Sequence, residues 1–169
     1  MDSAALRALQ APIKNRYRED PATALVTSRA AGGLVPGAIE IAVDAGGTTV
    51  SAGLHPATGG SGKLRCSADM LLEALVGCAG VTLQAIATSM GIGIRSGEVR
   101  AEGDWDARGT LGVSKEVPVG LTAVRLYLDL ETDATAEQLQ KLSTLVERYC
   151  IVAQSLNVGV VVEVVRSEQ

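Results

Sequence analysis

The sequence predicts an α+β domain in which antiparallel sheets pack around a long, buried central helix. Three observations predict this fold class. Residues 23–54 contain short runs rich in Val, Ile and Thr separated by glycine turns, residues 67–90 form an apolar stretch with helical spacing, and residues 122–132 alternate between apolar and polar. The 169-residue chain is 47% hydrophobic and 20% charged, which is the composition of a folded globular protein.

The N-terminal half is predicted to begin with a helix and to continue with a meander of three strands. Apolar residues at positions 5, 6, 9 and 13 predict an amphipathic helix over residues 2 to about 18, which ends before Pro21 because a residue preceding proline disfavours helical angles. Residues 1–20 are therefore predicted to form a helical extension of a single domain over residues 21–169. The predicted strands are TALVTSRAAGGL (23–34), GAIEIAVD (37–44) and TTVSAGL (48–54).

The central helix is predicted from Ser67 to Met90, with Ser67 as its N-cap and Asp69 in its first turn. Glu73 and Gln84 are its only long polar side chains, so most of its circumference is expected to be buried. A glycine at position 77 and another at position 80 each lower helix stability by up to about 1 kcal/mol, which predicts close packing against another helix or a bend.

The C-terminal half predicts two strands, a second long helix and a last strand. The strands are EVRAEGDWDARG (98–109) and TAVRLYLDLET (122–132), and the alternation in the latter assigns one face to the core and the other to solvent. TAEQLQKLSTLVERYC (135–150) predicts a helix that a capping box between Thr135 and Gln138 opens. VGVVVEVV (158–165) predicts the final strand.

Composition and charge exclude several classes of function. Phe is absent, Trp105 is the single tryptophan and the net charge is −4, so the chain lacks the aromatic platforms and clustered cations that bind nucleic acids. A secretory signal and an uninterrupted apolar stretch of about 18 residues are also missing, so we expect a cytoplasmic protein without a membrane partner. In that compartment the three cysteines are expected to be reduced, and any disulfide to be catalytic or redox-sensing.

Two glycine-rich stretches and the single histidine do not match known site patterns. ATGGSGKLRCSAD (57–69) resembles a phosphate-binding loop, but Ala57 stands where the motif needs glycine, and Leu64 follows the lysine where Ser or Thr is needed. GIGIRSG (91–97) follows a helix rather than a strand. His55 has no closely spaced cysteine pair beside it, so we expect neither a zinc site, nor a Ser-His-Asp triad, nor any cofactor.

The cysteines are the remaining candidates for chemistry. Cys78 lies inside the most apolar helix, where a small core side chain is the usual role of a free cysteine. Cys150 follows the second long helix, and if residues 151–156 begin a further helical turn, its thiolate is stabilised near a helix N-terminus. By position alone, these thiols are compatible with a structural role and with a reactive one.

Two segments resemble the signatures of the OsmC/Ohr family, the osmotically inducible and organic hydroperoxide resistance proteins. Members carry a helix of the form P-x-E-L-L-L-A-A-L-G-G-C, which is similar to SADMLLEALVGC ending at Cys78. They carry a later segment like C-P-V-x-x-T-L, which is similar to CIVAQSL beginning at Cys150, although Ile151 replaces the proline. The order of elements is also similar, and the resemblance covers residues 23–165.

The resemblance implies an OsmC-like fold, an intertwined homodimer and a thiol-dependent peroxidase activity. Cys78 is then the peroxidatic thiolate, which attacks a peroxide oxygen and becomes a sulfenic acid, and Cys150 resolves the sulfenic acid as a disulfide. The implied partners are an organic hydroperoxide substrate and a dithiol reductant, lipoyl-type or other.

The resemblance also implies that an arginine and a carboxylate complete the site. Asp69 is the nearest match to the family's glutamate, and Glu73 is a possible substitute. For the arginine we select Arg29 on the first predicted strand, with Arg65 as the competitor. Cys66 lies outside both family segments and is expected to be a bystander near the site.

Two other functions stay open from the sequence. A non-catalytic member of the family would bind an apolar small molecule or act as a redox sensor, and a purely structural dimer would do neither. Oxidation of two thiols per chain by one equivalent of hydroperoxide separates the peroxidase from the binding protein.

Overall fold

The computed structural model describes residues 1–166, so residues 167–169 of the predicted domain lie outside the described part of the chain. The predicted α+β class is confirmed, and the central helix has the predicted bounds. In chain order the elements are α1 (Ser3–Glu19), a 3₁₀ turn (Pro21–Ala24), β1 (Gly32–Leu34), β2 (Glu40–Asp44), β3 (Thr49–Gly53), a 3₁₀ turn (Pro56–Thr58), α2 (Ser67–Met90), β4 (Ile94–Trp105), α3 (Ala107–Thr110), β5 (Leu121–Thr132), α4 (Ala136–Tyr149), α5 (Ile151–Gln154) and β6 (Val160–Arg166).

The described chain divides into two compact units. The first unit contains Met1–Thr27, Leu75–Glu102 and the chain from Val124 onward, and the second contains Ser28–Ala74 and Gly103–Ala123. Helix α2 and strands β4 and β5 each contribute residues to both units. One sheet has the strand order β4-β5-β6, and the other has the order β1-β2-β3.

The sheet of the second unit is the predicted antiparallel meander. Strands β2 and β3 confirm the predicted strands at 37–44 and 48–54, with Ile41 opposite Ala52 and Val43 opposite Val50. Strand β1 pairs antiparallel with β2 on its other side.

The strand predicted over residues 23–34 is wrong for most of its length, because only Gly32–Leu34 is part of a sheet. Local hydrogen bonds compete with strand formation here. The Asp20 carboxylate accepts the N–H of Ala22, and the Thr23 hydroxyl donates to the Asp20 carbonyl, so a 3₁₀ turn forms instead. The chain then continues through residues 25–31 without regular structure.

The core of the first unit combines one face of β5 with α2 and α4. The predicted alternation of β5 is confirmed, since Val124, Leu126, Leu128 and Leu130 are at most 1% exposed and the residues between them are only half-buried. The capping box between Thr135 and Gln138 at the start of α4 is also present. The buried side chains from β5 and α4 include Val124, Leu126, Leu128, Leu130, Leu142 and Val146.

Strand β6 pairs with β5 in parallel, with Val124 opposite Val160, so this part of the sheet departs from the predicted antiparallel arrangement. Helices α4 and α5 form the connection between the two strands. A connection that contains helices is long enough for the chain to cross over and return in the same direction.

Helix α2 buries only one stripe of its surface within the single chain. Val81 is 73% exposed, so the expectation that most of the circumference is buried is wrong for one copy of the chain. At Gly77 the space that a Cβ would occupy is open, with no packing neighbour within 4 Å. The close packing predicted at this position is therefore not supplied by the same chain. The buried stripe, at most 2% exposed, is Leu75, Ala79, Leu83 and Ala87.

Among the described helices, α2 alone is long and apolar enough, by length and composition, to cross a membrane. Core helices of globular proteins meet the same criterion, and α2 carries the buried stripe of the first unit.

Candidate active site

The junction between α4 and α5 places Cys150. Helix α4 ends at Tyr149, and the N–H of Cys150 donates to the carbonyl of Val146 at 3.0 Å as the C-cap. Cys150 is at the same time the N-cap of α5, because its carbonyl accepts the N–H of Gln154 at 3.0 Å. This single extended residue between two helices is fully buried. The helical turn that the sequence allowed after Cys150 is present, but the expected stabilisation of a Cys150 thiolate is wrong, because burial raises the pKa of this thiol.

Helix α2 presents Cys78 to this junction. The side chain of Cys78 is partly exposed, and it lies one residue before the buried Ala79. The Cys150 thiol and the backbone N–H groups of Ile151 and Val152 lower the pKa of its thiol through hydrogen bonding, which places these groups beside its sulfur. The structure thus brings together the two cysteines that the sequence analysis paired only by resemblance.

A hydroxyl on the same helix completes the surroundings of Cys78. The Thr82 side chain, one helical turn later, also lowers the pKa of the Cys78 thiol through hydrogen bonding, the smallest of the named effects. Sequence analysis did not identify Thr82. Its spacing from Cys78 could have identified Thr82, because a residue four positions after a candidate nucleophile shares its helix face.

The Cys78 thiol has a lowered pKa. Burial raises this pKa, but hydrogen bonds from the Val152 N–H, the Cys150 thiol, the Ile151 N–H and the Thr82 hydroxyl together outweigh burial and bring the pKa below its ordinary value. All of these donors favour the charged form because they point to the sulfur on which the negative charge resides. Cys78 is therefore the cysteine of the pair that ionises first.

The Cys150 thiol has a raised pKa for complementary reasons. Burial raises it, and the hydrogen bond to Cys78 and the negative charge there raise it further. The N–H of Ala153 donates to the Cys150 sulfur at 3.5 Å and lowers the pKa by less than burial raises it but by more than the hydrogen bond to Cys78 does, and the N–H of Val152 lowers it by the smallest amount. When the pair holds one proton, that proton resides on Cys150.

The arrangement supplies a nucleophile and a second thiol in direct contact with it. The Cys78 thiolate is available for attack on an electrophile, while the protonated Cys150 donates to it. To form a disulfide, the two sulfurs must approach to a bond length of about 2 Å. Within residues 1–166, no group of three or more His, Cys, Asp or Glu side chains is arranged to hold a metal ion.

The predicted Arg29 and Asp69 both lie in the second unit, whereas the thiol pair lies in the first. Arg29 belongs to the irregular segment before β1 rather than to a strand, so its predicted position on a strand is wrong. Asp69 is in the first turn of α2, as predicted, and its side chain is exposed. Nine residues at about 100° each place Asp69 on the face of α2 opposite Cys78.

The two alternatives, Arg65 and Glu73, form an ion pair with each other. Their N–O distance is 2.7 Å, and each side chain is about half exposed, 54% and 49%. Within residues 1–166, neither Arg29 nor Asp69 makes an ion pair. The charges of the first-choice residues are therefore available for a ligand, while those of the alternatives are already engaged.

Cys66 occupies the N-cap position of α2, because its carbonyl accepts the N–H of Met70 at 3.0 Å. The predicted N-cap, Ser67, is instead the first helical residue. Cys66 lies in the second unit and is a free thiol that does not contribute to the hydrogen bonds around Cys78.

The comparisons with known proteins agree on one family. Residues 60–165 match the family model described as OsmC-like protein. A search of curated proteins finds no match.

Several solved structures share the fold. An OsmC-like protein from Mycoplasma pneumoniae superposes with a TM-score of 0.70 at 14% identity over 85% of this chain and 99% of its own. An organic hydroperoxide resistance protein OsmC from Legionella pneumophila gives 0.66 at 14% identity over 85% of this chain and 100% of its own. The organic hydroperoxide resistance protein OhrB of Bacillus subtilis gives 0.58 at 18% identity over 82% and 98%. At such identities the likeness shows a shared OsmC-like fold.

The residue after Cys150 is predicted to tune the Cys78 thiolate. A proline at this position has no N–H, whereas Ile151 donates one to the Cys78 sulfur. Ile151→Pro should therefore raise the pKa of Cys78 and slow its alkylation by iodoacetamide at pH 7 by several-fold, up to about tenfold. Peptide mass spectrometry measures the alkylation rate of Cys78 across a pH series. We expect the pH profile of this rate to shift to higher pH in Ile151→Pro.

Ile151→Ala is the matched control because it keeps the N–H. The side chain of Ile151 is 77% exposed, so both variants leave the core intact. Proline is also compatible with the first position of α5, and Cys150 before it is already extended, with φ −75° and ψ 110°. An unchanged profile in Ile151→Pro would contradict the role of this N–H.

Proposed function

Because this chain belongs to the OsmC-like protein family, we propose that it is a thiol-dependent peroxidase that reduces organic hydroperoxides. The observation that carries the proposal is the hydrogen-bonded pair in which Cys78 has a lowered pKa and Cys150 a raised one. This asymmetry is what a two-cysteine cycle needs, because the nucleophile must be ionised while its partner waits as a thiol. The resistance proteins of similar fold support hydroperoxides as the substrate class.

The first step oxidises Cys78. Its thiolate attacks the terminal oxygen of the hydroperoxide, the S–O bond forms as the O–O bond breaks, and the alkoxide leaves and takes up a proton as the alcohol. Two electrons pass from sulfur to the peroxide. Val81, three residues after Cys78 on α2, is an exposed aliphatic side chain, which favours an organic substrate over hydrogen peroxide.

The second step closes a disulfide. The Cys150 thiol loses its proton and attacks the Cys78 sulfenic acid, the S–S bond forms, and the oxygen leaves as water. An external dithiol, lipoyl-type or other, then reduces the disulfide by exchange and is itself oxidised to a disulfide. A reducing cytoplasm, which we assign as the location, supplies such dithiols.

We assign Arg29 and Asp69 to substrate orientation. An arginine beside a thiolate favours ionisation and can donate to the peroxide, and a carboxylate can accept a hydrogen bond from the peroxide O–H. The exposed Arg29 and Asp69 have no ion-pair partner within residues 1–166, in contrast to the paired Arg65 and Glu73. This difference in pairing supports the choice of Arg29 over Arg65.

We also propose a homodimer that buries the open face of α2. The exposed Val81 and the open space at Gly77 lie four residues apart on this helix and so share a face. An apolar helix with only one stripe buried within its own chain gains free energy when a second copy covers the rest, and glycine allows two helices to approach closely.

Substitution of the two cysteines tests the peroxidase cycle. Cys78→Ser should lower turnover of cumene hydroperoxide with a dithiol reductant to the rate of buffer alone, because serine does not ionise at neutral pH. Cys150→Ser should leave one sulfenic acid per chain, which dimedone labels and mass spectrometry counts. Cys66→Ser is the control and should retain turnover.

Turnover that survives Cys78→Ser would overturn the peroxidase proposal. If one equivalent of hydroperoxide instead forms the Cys78–Cys150 disulfide but no dithiol restores turnover, the pair acts as a redox sensor rather than as a catalyst.

Replacing each arginine by glutamine in turn tests which of the two, Arg29 or Arg65, contributes to turnover. Arg29→Gln should lower kcat/KM by about tenfold or more, the effect of losing a charge-assisted hydrogen bond of about 1.5–3 kcal/mol. Arg65→Gln, which removes a half-exposed ion pair, should change kcat/KM by less than about threefold. The reverse order of the two effects, measured by steady-state kinetics, would assign the role to Arg65.

A charge on the open face of α2 tests the dimer. Val81→Arg should convert the dimer to a monomer in light scattering, because an unpaired guanidinium would be buried in the interface. Val161→Arg is the matched control. Val161 is 58% exposed on β6 and lies opposite Arg125, on the charged face of its sheet. A dimer of unchanged mass in Val81→Arg would place the interface elsewhere.

A further inference from the structure

The second unit contains a cavity that the thiol cycle does not use. Its volume is about 340 Å³, which is near the lower end of the range for small-molecule sites of about 300–1,000 Å³. The end of β3, the start of α2, the end of β4 and the chain before β5 form its walls. Neither Cys78 nor Cys150 lines it.

The lining of the cavity is apolar and carries no Asp, Glu, Lys or Arg side chain. Aliphatic walls come from separate elements, with Leu54 after β3, Leu71 on α2, and Val119 and Leu121 at the start of β5. An ion placed there would lose its hydration without gaining a counter-charge, which is unfavourable. The cavity therefore selects against charged ligands.

The single histidine and the single tryptophan meet in this lining. The rings of His55 and Trp105 pack edge to face with centroids 5.2 Å apart, which stabilises both orientations. The Nδ1 atom of His55 accepts the N–H of Ala57 at 3.0 Å, so in the neutral imidazole the proton is on Nε2. The lining thus offers an aromatic surface together with polar N–H groups, that of His55 Nε2 and that of the Trp105 indole.

The two charged residues that follow Trp105 in the sequence, Asp106 and Arg108, form an ion pair with each other. Arg108 donates to the carboxylate of Asp106, with a shortest distance of 2.6 Å, and this hydrogen bonding lowers the pKa of Asp106 to about 2. Neither residue lines the cavity. These charges therefore do not supply a counter-ion for an ionic ligand.

We propose that this cavity binds an uncharged small molecule that has an aromatic or branched aliphatic body and one hydrogen-bond acceptor. The body packs against the aliphatic walls and Trp105, and the acceptor receives the N–H of His55. This site is independent of the peroxidase proposal, since it shares no residue with the thiol pair.

Fluorescence of the single tryptophan tests the site in the full-length protein. Prodan, an uncharged naphthyl ketone that absorbs where tryptophan emits and whose carbonyl is the hydrogen-bond acceptor, should quench the emission of Trp105 in a saturable manner. The same probe should slow the alkylation of Cys66, which also lines the cavity. Cys78→Ser protein should bind as tightly as the unmodified protein, so the outcome does not depend on the peroxidase activity.

Two valines of nearly equal exposure provide a matched pair of variants. Val119 lines the cavity and is 72% exposed, whereas Val113 precedes it by six residues, is 71% exposed and does not line the cavity. Val119→Asp should weaken binding of the probe by about tenfold or more, because the ligand must then desolvate a carboxylate. Val113→Asp should leave binding unchanged.

Three results would overturn the proposal. The first is the absence of saturable quenching, and the second is an equal loss of binding in Val119→Asp and Val113→Asp. The third is a loss of binding that coincides with a change of mass in light scattering, which would show that a second copy of the chain covers the cavity. Thermal unfolding of both variants checks that the fold is intact.

Discussion

The structure of the candidate site depends on the hydrogen bonds between the α4–α5 junction and the sulfur of Cys78. Cys150 ends one helix and begins the next, and this geometry turns the N–H groups of Ile151 and Val152 toward Cys78. The same junction buries Cys150 completely. The two cysteines therefore acquire opposite pKa shifts, because burial dominates at Cys150 while hydrogen-bond donors together outweigh burial at Cys78.

These hydrogen bonds explain the effect of Ile151, which replaces the proline of the family's second segment. Proline after the second cysteine would present no N–H to the thiolate, while Ile151 presents one. The chain therefore stabilises the thiolate by backbone donors and by the Thr82 hydroxyl, all of them within the first unit. A lowered pKa at Cys78 thus arises without a contribution from Arg29 or Arg65.

Helix α2 connects the fold with the proposed assembly. Its buried stripe is part of the core of the first unit, and its open face exposes Val81 and leaves space at Gly77. The apolar composition of α2 predicts that the helix is buried, and the resemblance to the family implies that a second copy of the chain covers part of it. Composition reports how much surface tends to be buried, but it does not report whether the same chain or a second copy covers it.

Local patterns in the sequence were sufficient to predict most of the helices and strands. The bounds of α2, the alternation of β5 and the capping box of α4 depend on residues within a few positions of one another, so the sequence alone determined them. The strand expected at 23–34 failed for a local reason, since Asp20 and Thr23 offered the backbone a turn that competes with a strand.

The tertiary structure decided what depends on contacts between distant segments. The sequence pointed to Cys78 and Cys150 by resemblance, but their contact joins positions 72 residues apart, which no local pattern encodes. Their opposite pKa shifts, the parallel pairing of β6 and the role of Thr82 follow from that packing. The sequence by itself determined which residues could react, and the fold decided which of the two thiols ionises, because only packing sets the donors around each sulfur.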